Sequence, residues 1–146
     1  MGVMARNAAS FLEVAKTMIA ECGQDRLNKD AAMRGVIGYI AFQALELYLK
    51  DITDTISVDN EHVHTHSLKR IISSLRQAMF ETRTPLSKKD IQRLNVILST
   101  ILDNEHTFQK LSFGTRYSKT SIALFQLTML IEIIDELERW TRTCMR

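Results

Sequence analysis

Apolar residues recur along this chain at alternating intervals of three and four, the signature of amphipathic helices. Ala8, Phe11, Ala15, Met18 and Cys22 share one stripe and predict a first helix over roughly 4–22, with Gly23 as its stop. Asp30 is a good N-cap for a second helix reaching about Asp54, in which Met33, Ile37, Ile40, Ala44 and Leu47 leave little polar circumference. Such a helix belongs in the centre of a bundle. Its Gly35 and Gly38 lower helix propensity, so a close approach by another backbone is expected there.

Leu68, Ile71, Ile72, Leu75 and Met79 predict a third helix from about Ser67 to Thr82, ending before the only proline, Pro85. Ser87 caps a fourth, with Ile91, Leu94, Leu98 and Ile101 as its buried stripe. The pattern breaks over 104–118. It resumes in the last and longest helix, where Ala123, Leu127, Leu130, Ile134, Leu137, Thr141 and Cys144 keep the spacing, flanked by Phe125, Met129, Ile133 and Trp140. No strand pattern, repeat, low-complexity tract or linker interrupts the series. The expectation is one domain over 1–146, an all-α antiparallel bundle of four to five helices. The second and last helices should be the most buried. The last has more apolar surface than one small bundle needs, which suggests a homodimer with Phe125, Met129, Ile133 or Trp140 between subunits.

Composition sharpens this only slightly. With 146 residues the chain is long enough to bury a substantial core without disulfides or metals. A formal net charge of +2 does not announce a nucleic-acid binder. Cys22 and Cys144 are neither clustered nor spaced as ligands and read as free thiols of a reducing compartment. The start lacks the apolar run of an export signal, Arg6 breaks the myristoylation pattern, and Cys144 is misplaced for prenylation. Gln126, Glu132, Asp135 and Glu136 interrupt the most apolar stretch, so a soluble, cytoplasmic protein is expected.

The candidate chemistry lies where polar residues break the pattern. Gln43, Glu46 and Lys50 share one face of the second helix, and Glu46 to Lys50 has the favourable polarity for an ion pair; the stripe faces either water or a shared cleft. His62, His64 and His66 alternate in HVHTH, but apart from Glu61 or Asp59 no cysteine or carboxylate nearby completes a tetrahedral shell, and no metal is expected. In the irregular stretch before the last helix, Arg116 offers a bidentate fork for phosphate, or for a carboxylate on a neighbouring helix. Tyr117 can stack on a base or anchor the loop. Lys110 and Lys119 add charge, and Gly114 allows a turn. No glycine-rich phosphate loop, nucleophile elbow or H-E-x-x-H is present, and no cofactor is expected.

The Gln43, Glu46, Lys50 helix, the loop after it, and His66 with Leu68 opening the next helix together resemble HEPN domains, helical bundles associated with nucleotide and RNA chemistry. Arg116 and Tyr117 resemble the R-Y pair that members often show before their last helix. The resemblance implies dimers with a cleft at the junction, in which Arg116, Tyr117, Lys119, Gln43, Glu46 and Lys50 bind ligand and His66 holds the rim. It further implies nucleotide, RNA or a nucleotidyltransferase as partner, in a toxin–antitoxin or defence-type module. The ribonuclease branch uses R-x4-6-H, which this chain lacks, so a noncatalytic role is expected. Two alternatives stand beside it: a divergent ribonuclease toxin using Arg116 with His66 or His106 across a dimer, and a purely structural interaction bundle.

Overall fold

A computed structural model describes residues 2–57, 64–81, 86–112 and 122–145. Among the described residues are seven helices and no strand: α1 (Val3–Cys22), α2 (Gln24–Lys29), α3 (Ala31–Ile56), α4 (Leu68–Phe80), α5 (Lys88–Asp103), α6 (Glu105–Gln109) and α7 (Leu124–Cys144). Long α1, α3, α4, α5 and α7 form the all-α bundle. The short α2 and α6 were not legible from periodicity, because one or two turns show no repeat.

The ends follow local chemistry. Gly23 closes α1 at a φ of 78°, a conformation that favours glycine. Asp30 accepts from the Met33 amide at 3.0 Å and starts α3; Ser87 does the same for the Asp90 amide at 3.0 Å and starts α5. At α7 the side chain of Gln126 reaches back to the Ala123 amide at 3.0 Å. No helix of the described residues is long and apolar enough to cross a membrane.

Helix α3 lies at the centre, packed against α1, α4 and α7. Ile37, Ala41, Phe42, Leu45, Leu49 and Ile52 on it are buried, as are Leu127, Leu130, Ile134 and Leu137 on α7. The stripe on α1 is rotated from the expected one: Ala5, Ala8, Leu12 and Ala15 face the core, and Phe11 sits at its edge, 38% exposed. Three alanines let α1 lie close to α3, which a phenylalanine on that row would prevent. On α5, Ile97 is buried where Ile91 was expected, and Ile91 is only partly covered.

Ile133 and Trp140 are corrected as dimer candidates. Both are buried within the single chain, and the Trp140 indole donates to the Asp90 carbonyl at 2.9 Å, fastening α7 to α5. Gly38 has a packing reason of a different kind from the expected one. A Cβ there would lie 2.8 Å from Leu111 Cδ2 and 3.5 Å from Ile122 Cγ2, so side chains, rather than a backbone, occupy the space.

The Tyr48 hydroxyl is buried and has no hydrogen-bond partner among the described residues. Burial first, then the charge of Glu138, pushes its phenol from 10.0 up to about 12. The folded state thus holds this proton more tightly than the unfolded chain. The corresponding stability is intact below pH 10 and is lost as pH rises towards 12. Tyr48→Phe removes an unmade hydrogen bond and is expected to leave neutral-pH stability unchanged or raise it by about 1 kcal/mol. Urea titrations of both proteins across the alkaline range check this: the wild type should lose more stability than the variant.

Candidate functional site

The polar stripe of α3 meets the start of α4. Gln43, Glu46 and Lys50 follow one another at steps of one turn; Glu46 is 4% exposed, unusual for a carboxylate, while Gln43 and Lys50 are partly exposed. A carboxylate so deep in an apolar helix needs partners, and Oε1 of Glu46 has two. Lys50 Nζ lies 3.3 Å away, and Nδ1 of His66 lies 2.5 Å away. His66 comes from the residues leading into α4, and the rest of its ring is open to solvent, its side chain 80% exposed. Hence the histidine tethers the entry to α4 and still presents its other nitrogen outward.

A residue absent from the sequence reading completes the arrangement. Gln109, at the end of α6, uses its amide as a two-sided clamp: Oε1 accepts from the Leu68 amide at 2.8 Å, and Nε2 donates to the His66 carbonyl at 2.9 Å. Ser112 lies against it, its hydroxyl donating to the Gln109 carbonyl at 2.7 Å. Leu68 N–H is an orphan donor of the first turn of α4, and Gln109 satisfies it where the cap is weak, since Ser67 reaches the Arg70 amide only at 3.4 Å. Phe108 and Leu111, both buried, hold α6 and the 3₁₀ turn at 110–112 in place. Their spacing of three was the available signal for a helical turn with Gln109 at its edge.

The structure therefore brings together Glu46, Lys50 and His66, with Gln43 one turn away on the same helix. Arg116, Tyr117 and Lys119 lie outside the described residues, as do Gly114 and His62. Leu111 and Ile122, near the two ends of that segment, both rest on α3 over Gly38, one face of the same helix. The Arg34 guanidinium secures the far end by donating to the Ile122 carbonyl at 2.7 Å and to the Leu27 carbonyl at 2.7 Å. His106 is exposed on α6, one turn before Gln109.

Chemically, Glu46 is engaged by two donors and Lys50 by Glu46, so both are occupied in holding geometry. What faces solvent is the imidazole of His66, with Gln43 partly exposed on the neighbouring turn of α3. Among the described residues no three His, Cys, Asp or Glu side chains gather as metal ligands. Cys22 and Cys144 are free and partly buried. Burial, helped by a hydrogen bond from the thiol to the Asp90 carboxylate, pushes Cys144 up to about 11, which keeps it protonated and a poor nucleophile. Compared with known proteins, the chain matches no family model, no curated protein and no solved structure.

Proposed function

We propose that this chain is a noncatalytic HEPN-like domain that binds an anionic ligand, a nucleotide or an RNA end, beside the junction of α3 and α4. One observation supports it above others: Lys50 and His66, from the two separate stretches that resemble the family, converge on a single carboxylate oxygen of Glu46. A buried, doubly held carboxylate gives a rigid floor, and Arg116, Tyr117 and Lys119 would supply the phosphate contacts. In this reading Glu46, Lys50 and Gln109 position, His66 and Gln43 line, and the arginine binds. A nucleotidyltransferase partner and a toxin–antitoxin or defence setting follow from the resemblance alone.

The chain is further proposed to act as a homodimer. Phe125 is 68% exposed and, with Leu124 and Met129, borders an open groove of about 660 Å³ between α2 and α7. Light scattering at tens of micromolar protein should report a dimer that Phe125→Asp converts to monomer.

Arg116→Ala is expected to weaken binding of a nucleotide or short RNA by about 1–3 kcal/mol, the scale of a charged hydrogen bond, with an unchanged melting temperature. Calorimetric titration with the nucleotide measures it. Unchanged binding with a lower melting temperature would instead make Arg116 a structural ion-pair residue. RNA cleavage without metal, abolished by His66→Ala or His106→Ala, would establish the ribonuclease alternative.

A further inference from the structure

Charge is nearly balanced over the whole chain but not over its surface. Helix α4 carries Lys69, Arg70 and Arg76 and no carboxylate. Its solvent stripe is Lys69, Ser73, Arg76 and Phe80, at steps of four, three and four. Beside it, α5 turns Lys88, Lys89, Gln92, Arg93 and Val96 to solvent. Arg76 links the two helices by donating to Ser99 Oγ at 3.2 Å. The carboxylates nearby are mostly turned away or engaged. Asp90 faces α7, where its carboxylate takes the Cys144 hydrogen bond; Glu105 pairs with Lys69 at 3.8 Å; Asp103 stands at the far end of α5. Glu81, at the end of α4, and Glu136, across from Arg93 on α7, are the exposed ones that remain. Arg70, Lys88, Lys89 and Arg93 form no ion pair among the described residues. The acidic residues collect instead on α7, as Glu132, Asp135, Glu136 and Glu138.

Within this basic face Phe80 is 91% exposed. Leaving a phenylalanine ring in water forgoes about 1.5–3 kcal/mol of burial, so its place among cations and hydroxyls asks for a partner. A protein interface would centre on apolar residues and exclude lysines, and a membrane-surface helix would show a broad apolar face. One aromatic ring set among dispersed cations, hydroxyls and amides fits a different partner: phosphates meet the cations and a base stacks on the ring. Arg93 and Val96 also border a groove of about 360 Å³ between α5 and α7, whose far wall carries both Arg139 and Glu136.

We propose that the exposed face of the α4–α5 pair is a docking surface for single-stranded nucleic acid, with Arg70, Lys88, Lys89 and Arg93 on its phosphates and Phe80 under a base. This surface is separate from the α3–α4 junction and does not rest on its assignment. Fluorescence anisotropy with a labelled oligothymidylate and the matching oligouridylate, over a salt series, tests it. The triple variant Arg70→Gln, Lys88→Gln, Lys89→Gln is expected to lose about tenfold or more in affinity. Its slope of log K against log salt should be shallower by about 2, three contacts at about 0.7 each. Phe80→Ala should lose about tenfold with the slope unchanged, because stacking releases no counterions. The triple variant should keep the mononucleotide binding of the wild type, which separates this surface from the junction site. No oligonucleotide binding, binding that survives both variants, or an oligoglutamate peptide binding as tightly as the oligonucleotides would overturn the proposal, the last in favour of an acidic protein partner.

Discussion

Trp140→Ala is expected to be the most damaging single substitution short of unfolding, lowering the melting temperature by about 15 °C and the stability by about 4 kcal/mol. Two losses combine. The indole is fully buried between α7 and its neighbours, so its removal leaves a cavity in a core that cannot fully collapse. It also removes the indole N–H bond to the Asp90 carbonyl that ties α7 to α5, leaving that acceptor at the first turn of α5 without its side-chain donor. Trp140→Phe separates the terms, retaining most of the ring volume while losing the donor, and should cost about 1–2 kcal/mol. A dimer-interface tryptophan would behave otherwise: its truncation would change the concentration dependence of melting. Thermal scans at two protein concentrations distinguish the outcomes.

Glu46→Ala should come second, at about 3 kcal/mol, within the range for breaking a buried charge pair from one side. Lys50 would keep its charge in a pocket that leaves its side chain 15% exposed, and His66 would lose its tether to α3. The damage should be local as well as global. Amide exchange is expected to accelerate at residues 64–70 more than in the centre of α3, since the entry to α4 would then lose its tie to Glu46 and lean more heavily on Gln109. Pairing Glu46→Gln with Lys50→Met in a double-mutant cycle should return a coupling of about 1 kcal/mol. Uniform acceleration of exchange along the chain would show that Glu46 supports the whole bundle rather than this junction.

Much of the architecture was legible because helices announce themselves by period and by caps. Gly23, Asp30 and Ser87 stand where the sequence places them, and α3 is central because its apolar residues leave so little polar surface. Period alone does not choose between adjacent rows. On α1 the row through Phe11 and the row through Leu12 both satisfy three and four spacing and share Ala8 and Ala15; the row that continues through Ala5 and carries Leu12 in place of the bulkier Phe11 faces the core, since close approach to α3 favours smaller side chains. The same ambiguity misplaced Trp140, whose burial depends on the α5 neighbour that receives its N–H. At the site, Glu46 and Lys50 were readable as an intrahelical pair, and His66 only as a helix-start histidine. That the three meet at one oxygen is a tertiary fact, separated by twenty positions in sequence. Gln109 was invisible for a related reason: its role depends on two backbone groups of a distant segment.

The contact over Gly38 bears on how the chain can be altered. Leu111 and Ile122 close on one point of α3, so the intervening residues begin and end at fixed, adjacent anchors whatever lies between them. Adding length between fixed anchors raises the closure entropy only logarithmically, about 0.6 kcal/mol for each doubling. A peptide tag or a reporter domain inserted between 113 and 121 should therefore leave the bundle folded. A methyl at Gly38, by contrast, presses on the Leu111 anchor from 2.8 Å while meeting Ile122 at an ordinary 3.5 Å, so one small substitution on α3 disturbs an end of the segment that a large insertion within it leaves alone.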